Sequence, residues 1–436
     1  MTTAAVRRGQ ISTIHVKHFS RTENKRASLK VVHKHGPCYQ FSEDKTNAPN
    51  LTHILLQDQA RVNSLQSRLS NNLHDSESTL PAKSGFSLGT ANYVITVGLG
   101  TPKKDLTFAF DTGSDLTWTQ CKPCAGYCYP QNEPYFDPSK STSYTNITCG
   151  SPSCSQLLSA TNNPPRCSSS TCVYTIGYAD MSYTIGFFGK EKLSLTSADV
   201  FEDFPFGCGQ ENRGLFGRIA GLFGLGRDKL SFVSQSAFKY GSFFSYCLPS
   251  SPSSTGHLKF GKGGGAPTNE KFTPLLTKSR FPSFYFIDVV AISVGGQKLS
   301  IPSSVFSTAG TIIDSGTVIT RLPATAYAAL RSAFRQRMSK YPMTQPLEIL
   351  DTCYDLSQYS SVSIPRIMFS FGGGVEVDVD LSGILFGAKT SQLCLAVAGN
   401  GGDTAISTFG NYQQKRFDVI YDVAGGQLGF APGGCA

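Results

Sequence analysis

Charged side chains make up only 16% of the 436 residues, and from residue 89 onward they form no long basic run. A strongly basic stripe is the electrostatic footprint of a nucleic-acid binder, so nucleic acid is not the partner expected of the body of the chain. The net charge is +9, but residues 1–88 carry 12 Lys/Arg against 6 Asp/Glu, so +6 of it belongs to the front segment. There is no apolar run of 18 or more residues, which excludes a membrane-spanning helix. Histidine is missing between His74 and His257. The run Cys121-x2-Cys124-x3-Cys128 shares its spacing with zinc and redox motifs, yet it has no histidine beside it. The next cysteines are irregularly spaced, and neither a metal nor a cofactor is expected. Met1–Arg26 holds Arg, Lys and Ser but no apolar core of seven or more residues, so no signal peptide is visible.

What is plentiful is glycine (43), phenylalanine (30), serine and threonine. That mixture suits an all-β chain of short strands and many turns, and 436 residues suffice for two cores plus an extension. Thirteen cysteines point to an oxidising compartment. Twelve lie after residue 120 and one, Cys38, lies in the front segment. An even twelve suits six disulfides, whose connectivity the spacing alone cannot choose. The sequons at Asn146 and Asn50 favour a secretory route, with Asn146 a glycosylation candidate.

The most informative stretch is Phe108-Ala109-Phe110-Asp111-Thr112-Gly113-Ser114, an apolar strand running into an acid that no neighbouring base neutralises. Its echo is Thr311-Ile312-Ile313-Asp314-Ser315-Gly316-Thr317. In each copy the apolar run carries the Asp to the floor of a cleft, Gly113 or Gly316 permits a tight turn, and Ser114 or Thr317 can donate a hydroxyl hydrogen bond to the carboxylate. Two carboxylates brought face to face share one proton, so one can act as base on a water while the other polarises a carbonyl. One Asp-Thr-Gly by itself is a common turn. Two copies, each followed by an apolar-Gly strand (Leu222-Phe223-Gly224 and Phe409-Gly410), are not.

On these paired motifs the chain resembles the pepsin-like aspartic proteases, and within them the plant nepenthesin-like group, over nearly all of residues 90–436. The resemblance implies a bilobal fold of two barrel-like β lobes with the catalytic cleft between them, Asp111 and Asp314 as the dyad, and Thr112 and Ser315 linking the two hairpins. It implies that the hairpin Tyr174–Phe187 is a flap, with Tyr178 over the cleft and Trp118 supporting it. This sequence departs from the family at the flap tip, where Ala179 and Met181 replace glycines. The disulfides implied are Cys121–Cys124, Cys128–Cys208, Cys149–Cys172, Cys154–Cys167, Cys247–Cys435 and Cys353–Cys394.

Residues 1–88 read as a prosegment. Ala27–Cys38 forms a strand ending at a turn, residues 54–70 have helical apolar spacing, and a Ser/Asn/Pro-rich connector runs from Ser70 to Gly89. A basic residue of this segment could neutralise the dyad until it is removed, and the sequence does not say which. The N-terminal lobe, with its cysteine-rich insertion, is placed at 89–262 and the C-terminal lobe at 263–436. Single helices are predicted at Leu230–Lys239 and Pro323–Tyr341, and a single strand at Leu393–Ala398.

The reading is an aspartic endopeptidase made as a zymogen. It acts on proteins or peptides as a monomer, outside the cell or in the secretory pathway (apoplast or vacuole), with the chloroplast as alternative. The competing readings are a catalytically weak pepsin-fold binding or inhibitor protein and an organellar DNA-associated protease.

Overall fold

Alternation of apolar residues builds the first lobe from the strands Tyr93–Leu99 and Lys104–Asp111, which pair antiparallel with Val94 opposite Ala109. The computed structural model describes residues 27–33, 51–70, 92–178, 182–214, 216–250, 254–262 and 270–435. Long hairpins complete the lobe: Thr171–Gly177 pairs with Tyr183–Ser194, and Tyr183–Ser194 with Val200–Arg213. The chain is mainly β and bilobal, with few helices.

The two lobes repeat one construction. Lys104–Asp111 runs parallel to Gly221–Gly224, which sets Asp111 opposite Gly224. Thr311–Asp314 runs parallel to Ser407–Gly410, which sets Asp314 opposite Gly410. Glycine is required at these crossings because a Cβ on Gly224 would lie 2.0 Å from the Asp115 carbonyl oxygen, and one on Gly410 2.6 Å from that of Val318. Each Asp therefore ends a strand that is buried where it reaches the Asp and lies wedged between two others.

A six-stranded antiparallel sheet spans the two halves. It is built from Thr255–Phe260, Phe243–Cys247, Phe417–Asp422, Gln427–Pro432 and Lys271–Leu276, and closed on its other edge by β1 (Ala27–His33), which pairs with Thr255–Phe260. β1 also reaches the first lobe through Val32 opposite Val94. The front segment thus supplies a strand to the body, with Leu29 and Val31 buried in the main core. Its second element is the helix α1 (Leu51–Ser70).

Several local expectations are corrected. Leu230–Lys239 is not one helix but two single turns, Phe232–Gln235 and Ala237–Tyr240, because the buried Ser236 leaves helical geometry at φ −96° and ψ 3°. Leu393–Ala398 is not one strand. Gln392–Leu395 belongs to a small sheet with Leu385–Lys389, and the chain then crosses at Ala396 so that Val397–Gly399 pairs with Thr320–Leu322. The helix predicted over Pro323–Tyr341 spans Ala324–Arg337, with Pro323 as its N-cap.

Six disulfides are present. Cys247–Cys435 and Cys353–Cys394 match the implied pairs, and the other four do not: the bonds are Cys121–Cys208, Cys124–Cys128, Cys149–Cys167 and Cys154–Cys172. Strand register decides the first, since Trp118–Gln120 runs parallel to Val200–Arg213 with Thr119 opposite Cys208, which leaves Cys121 beside Cys208 in the core. Burial sorts the last two: the fully buried Cys154 and Cys172 bond to each other, and the more exposed Cys149 and Cys167 do likewise. Asn146 is exposed at the end of a two-residue strand. Cys38, Asn50, the flap-tip residues Ala179 and Met181, and Met1–Arg26 lie outside the described residues. No described helix is long and apolar enough to cross a membrane.

Candidate active site

Asp111 and Asp314, both essentially inaccessible, face each other at the meeting point of the two lobes. Each is held by its own turn in the same way. The Gly113 N–H donates to Asp111 Oδ1 at 2.9 Å and the Gly316 N–H to Asp314 Oδ1 at 3.0 Å. The Ser114 hydroxyl donates to Asp111 Oδ2 and the Thr317 hydroxyl to Asp314 Oδ2, both at 2.5 Å. Such charge-assisted bonds fix the orientation of both carboxylates.

Neither glycine needs a left-handed backbone; what each provides is room. A Cβ on Gly113 would meet Asp314 Oδ1 at 2.8 Å, and one on Gly316 would meet Asp111 Oδ1 at 2.6 Å. Any side chain here would drive the carboxylates apart.

The turns are clamped reciprocally. The Ser315 N–H donates to Thr112 Oγ1 at 2.9 Å, and the Thr112 N–H donates to Ser315 Oγ at 3.1 Å. Ser315 Oγ also donates to the Phe110 carbonyl at 3.2 Å. These buried reciprocal bonds fix the spacing of the two hairpins. Around it lie residues that sequence reasoning missed. Asn411 Nδ2 donates to the Ser315 carbonyl at 2.9 Å, and Asp115 accepts from the Asp228 N–H at 2.9 Å and from the Ser283 hydroxyl.

Over the first lobe, Trp118 Nε1 donates to the Tyr178 hydroxyl at 3.3 Å, and the Tyr178 ring lies edge-on to Phe216, 5.5 Å between centroids. Tyr178 N–H donates to the Ser182 carbonyl, which closes the hairpin around its tip.

A cation fills the space between the carboxylates. Arg61, on α1, donates from Nη2 to Asp111 Oδ1 at 2.5 Å and to Asp314 Oδ1 at 3.0 Å, from Nη1 to Asp111 Oδ2 at 3.2 Å, and from Nε to Asp314 Oδ2 at 3.0 Å. Its side chain is only 16% exposed. Burial opposes the ionisation of Asp314, but the charge and hydrogen bonds of Arg61, with those of Thr317 and Gly316, outweigh it and hold the carboxyl below its ordinary range. Burial likewise opposes the Arg61 charge, and the two carboxylates more than restore it.

α1 is seated by its apolar face and by one acid. Ile54 and Leu55 pack with Val318, Ile319, Leu350 and Phe386, while Leu65 packs with Phe284, Phe286 and Ile312. Burying each such side chain is worth about 1.5–3 kcal/mol. Asp58, 2% exposed, accepts hydrogen bonds from the backbone N–H groups of Val318 and Ile319, and pairs with Arg321 at 3.0 Å.

Known proteins resemble this chain over most of its length. Two family models match, one described as xylanase inhibitor N-terminal over residues 93–262 and one as xylanase inhibitor C-terminal over residues 284–432. An aspartyl protease family protein of Arabidopsis thaliana is 56% identical over 422 residues, covering 95% of this chain and 89% of that protein. The aspartic proteinase nepenthesin-2 of Nepenthes gracilis is 37% identical over 356 residues, covering 80% and 78%. Among solved structures, that of edgp aligns with a TM-score of 0.66 at 20% identity over 94% of this chain and 96% of its own. Soybean basic 7S globulin aligns at 0.63 and 21% identity over 78% and 93%. At such identity the structural likeness speaks for the fold alone.

Proposed function

Since the chain belongs to the plant pepsin-like aspartic protease family, we propose that it is an aspartic endopeptidase made as a zymogen, with Asp111 and Asp314 as its dyad. In the active form the two carboxylates share one proton. The ionised member takes a proton from a water held between them, and the protonated member donates to the substrate carbonyl as the water attacks. Ser114, Thr317 and the Gly113 and Gly316 N–H groups keep the acceptor lone pairs in place during that exchange. Thr112 and Ser315 keep the two halves in register. Tyr178, steadied by Trp118, would close over the bound peptide.

The observation that carries the reading is Arg61 between the two carboxylates. A guanidinium there occupies the place of the water and prevents the dyad from holding its single proton. We read residues 1–88 as a prosegment, followed by lobes at 89–262 and 263–436, with cleavage in the connector before Asn92 releasing α1. Six disulfides and the named relatives favour the secretory pathway as its location.

The test is cleavage of an unfolded protein across pH 2.5–8, with and without a statine-type peptide inhibitor, while the intact mass of the chain is followed. Inhibitable cleavage in acid with loss of about the first 85–90 residues supports the reading. A chain freed of its prosegment that cuts nothing at any pH overturns it. That result would favour the second reading, a binding protein on the same fold, for which the xylanase inhibitor descriptions and the altered flap tip Ala179/Met181 speak.

A further inference from the structure

Arg321 is the most deeply buried cation near the dyad, at 1% exposure, on the short strand Thr320–Leu322 that follows the second Asp turn. Its hydrogen bonds are few. Nη1 donates to the Ile319 carbonyl at 3.1 Å, and Nη2 to Gln59 Oε1 at 3.3 Å. Its ion-pair partner among the described residues is Asp58, at 3.0 Å, and its Nε donates to no described group. Asp58 and Gln59 both belong to α1. Once α1 leaves, the body retains a guanidinium stripped of its carboxylate, beside the Val318 and Ile319 N–H groups that lose the same acceptor.

Two backbone N–H groups and a guanidinium converging on one carboxylate make a built anion site, and removal of α1 takes that acceptor from all three donors. Its position relative to the chemistry follows from the helix. Asp58 precedes Arg61 by three residues, about 4.5 Å along the axis, on the same face. An extended peptide advances about 3.3 Å per residue, so a carboxylate in this site belongs to a side chain one or two residues from the bond at the dyad. Thr317, which holds Asp314, is the immediate neighbour of Val318.

We propose that in the mature protein the Val318 and Ile319 N–H groups and Arg321 form a subsite that takes an aspartate or glutamate side chain of the substrate, within two residues of the bond that is cut. The Asp58 carboxylate stands in for that acid while α1 is docked. This inference rests on the protease reading, in which α1 is removed.

The test starts from the full chain, folded intact and then activated by release of the prosegment. Fluorogenic octapeptides of one sequence, with Asp, Asn or Ala placed in turn at each of the three positions on either side of the bond, are compared at pH 5. At one position within two residues of the bond, kcat/KM is expected to be tenfold or more higher for Asp than for Asn, with the difference in KM. In Arg321→Gln the Asp/Asn ratio falls to near one, and Arg321→Lys keeps part of it. The ratio is internal to each variant, so a change in overall activity cancels.

The same peptides with a reduced bond in place of the scissile amide, followed by fluorescence polarisation, give the answer without turnover. Where Arg321→Gln does not fold, the wild-type scan and the Lys variant decide. No position that prefers Asp in binding or cleavage, or a preference unchanged in the Arg321 variants, overturns the subsite. Arg321-dependent binding of the Asp peptide by a protein that never cleaves would support the subsite while contradicting the protease reading.

Discussion

Arg61 donates to both oxygens of Asp111, at 2.5 and 3.2 Å, although 50 residues of chain separate the two. An inserted cation of this kind fills the space in which the proposed mechanism holds its water. Arg61→Gln removes the charge at a mostly buried site and keeps some hydrogen bonding. It is expected to speed loss of the front segment at pH 5 by about tenfold or more, since a charge-assisted hydrogen bond contributes about 1.5–3 kcal/mol. The measurement is the half-time of the intact mass. An unchanged half-time would show that Arg61 does not hold the segment in place.

The sign of the pH dependence follows from Asp314. Its carboxyl is lowered by Arg61 while α1 is docked, so its contribution to docking is present above the ordinary carboxyl range, about pH 4, and is lost as the pH falls through the lowered value. Asp58, whose carboxyl burial pushes up despite Arg321, contributes with the opposite sign and makes the fall shallower. Release of the segment, followed at a series of pH values, should therefore accelerate on acidification. Release that slows toward pH 3 would assign control to Asp58.

Disulfide mapping should recover Cys121–Cys208 and Cys154–Cys172 in non-reduced peptides. Loss of Cys247–Cys435, which spans 188 residues, should cost about 5 kcal/mol by the chain-entropy argument, read as a fall in the denaturant midpoint of Cys435→Ser.

Trp118 is the single tryptophan and is fully buried, so its fluorescence reports on the flap. Tyr178→Phe deletes the hydroxyl that accepts from Trp118 Nε1 and leaves that donor unpaired. A loss of about 1–2 kcal/mol, or five- to thirtyfold in kcat/KM, is expected together with a shift in Trp118 emission. A shift in emission without loss of activity would make the pair structural only.

Much of this arrangement was legible in the sequence because it depends on local grammar. The apolar runs into Asp111 and Asp314, and the glycines at 224 and 410, announce strands that must cross closely, and the structure pairs Asp111 with Gly224 and Asp314 with Gly410. What stayed hidden depends on long-range register. Nothing near Arg61 distinguishes it from the other 11 Lys/Arg of the first 88 residues, because its partners are 50 and 253 residues away. Asp58 and Arg321 form a pair visible only once α1 lies along the cleft. Disulfide partners likewise follow from which strands adjoin, so spacing could not separate Cys121–Cys208 from Cys128–Cys208.

The most direct measurement is acid cleavage of an unfolded protein by chains carrying Asp111→Asn or Asp314→Asn, each first shown to fold by Trp118 fluorescence and its unfolding midpoint. A shared-proton dyad predicts that either change abolishes cleavage, to below about one part in a thousand of the unaltered chain. Either folded variant cleaving at the unaltered rate would contradict it.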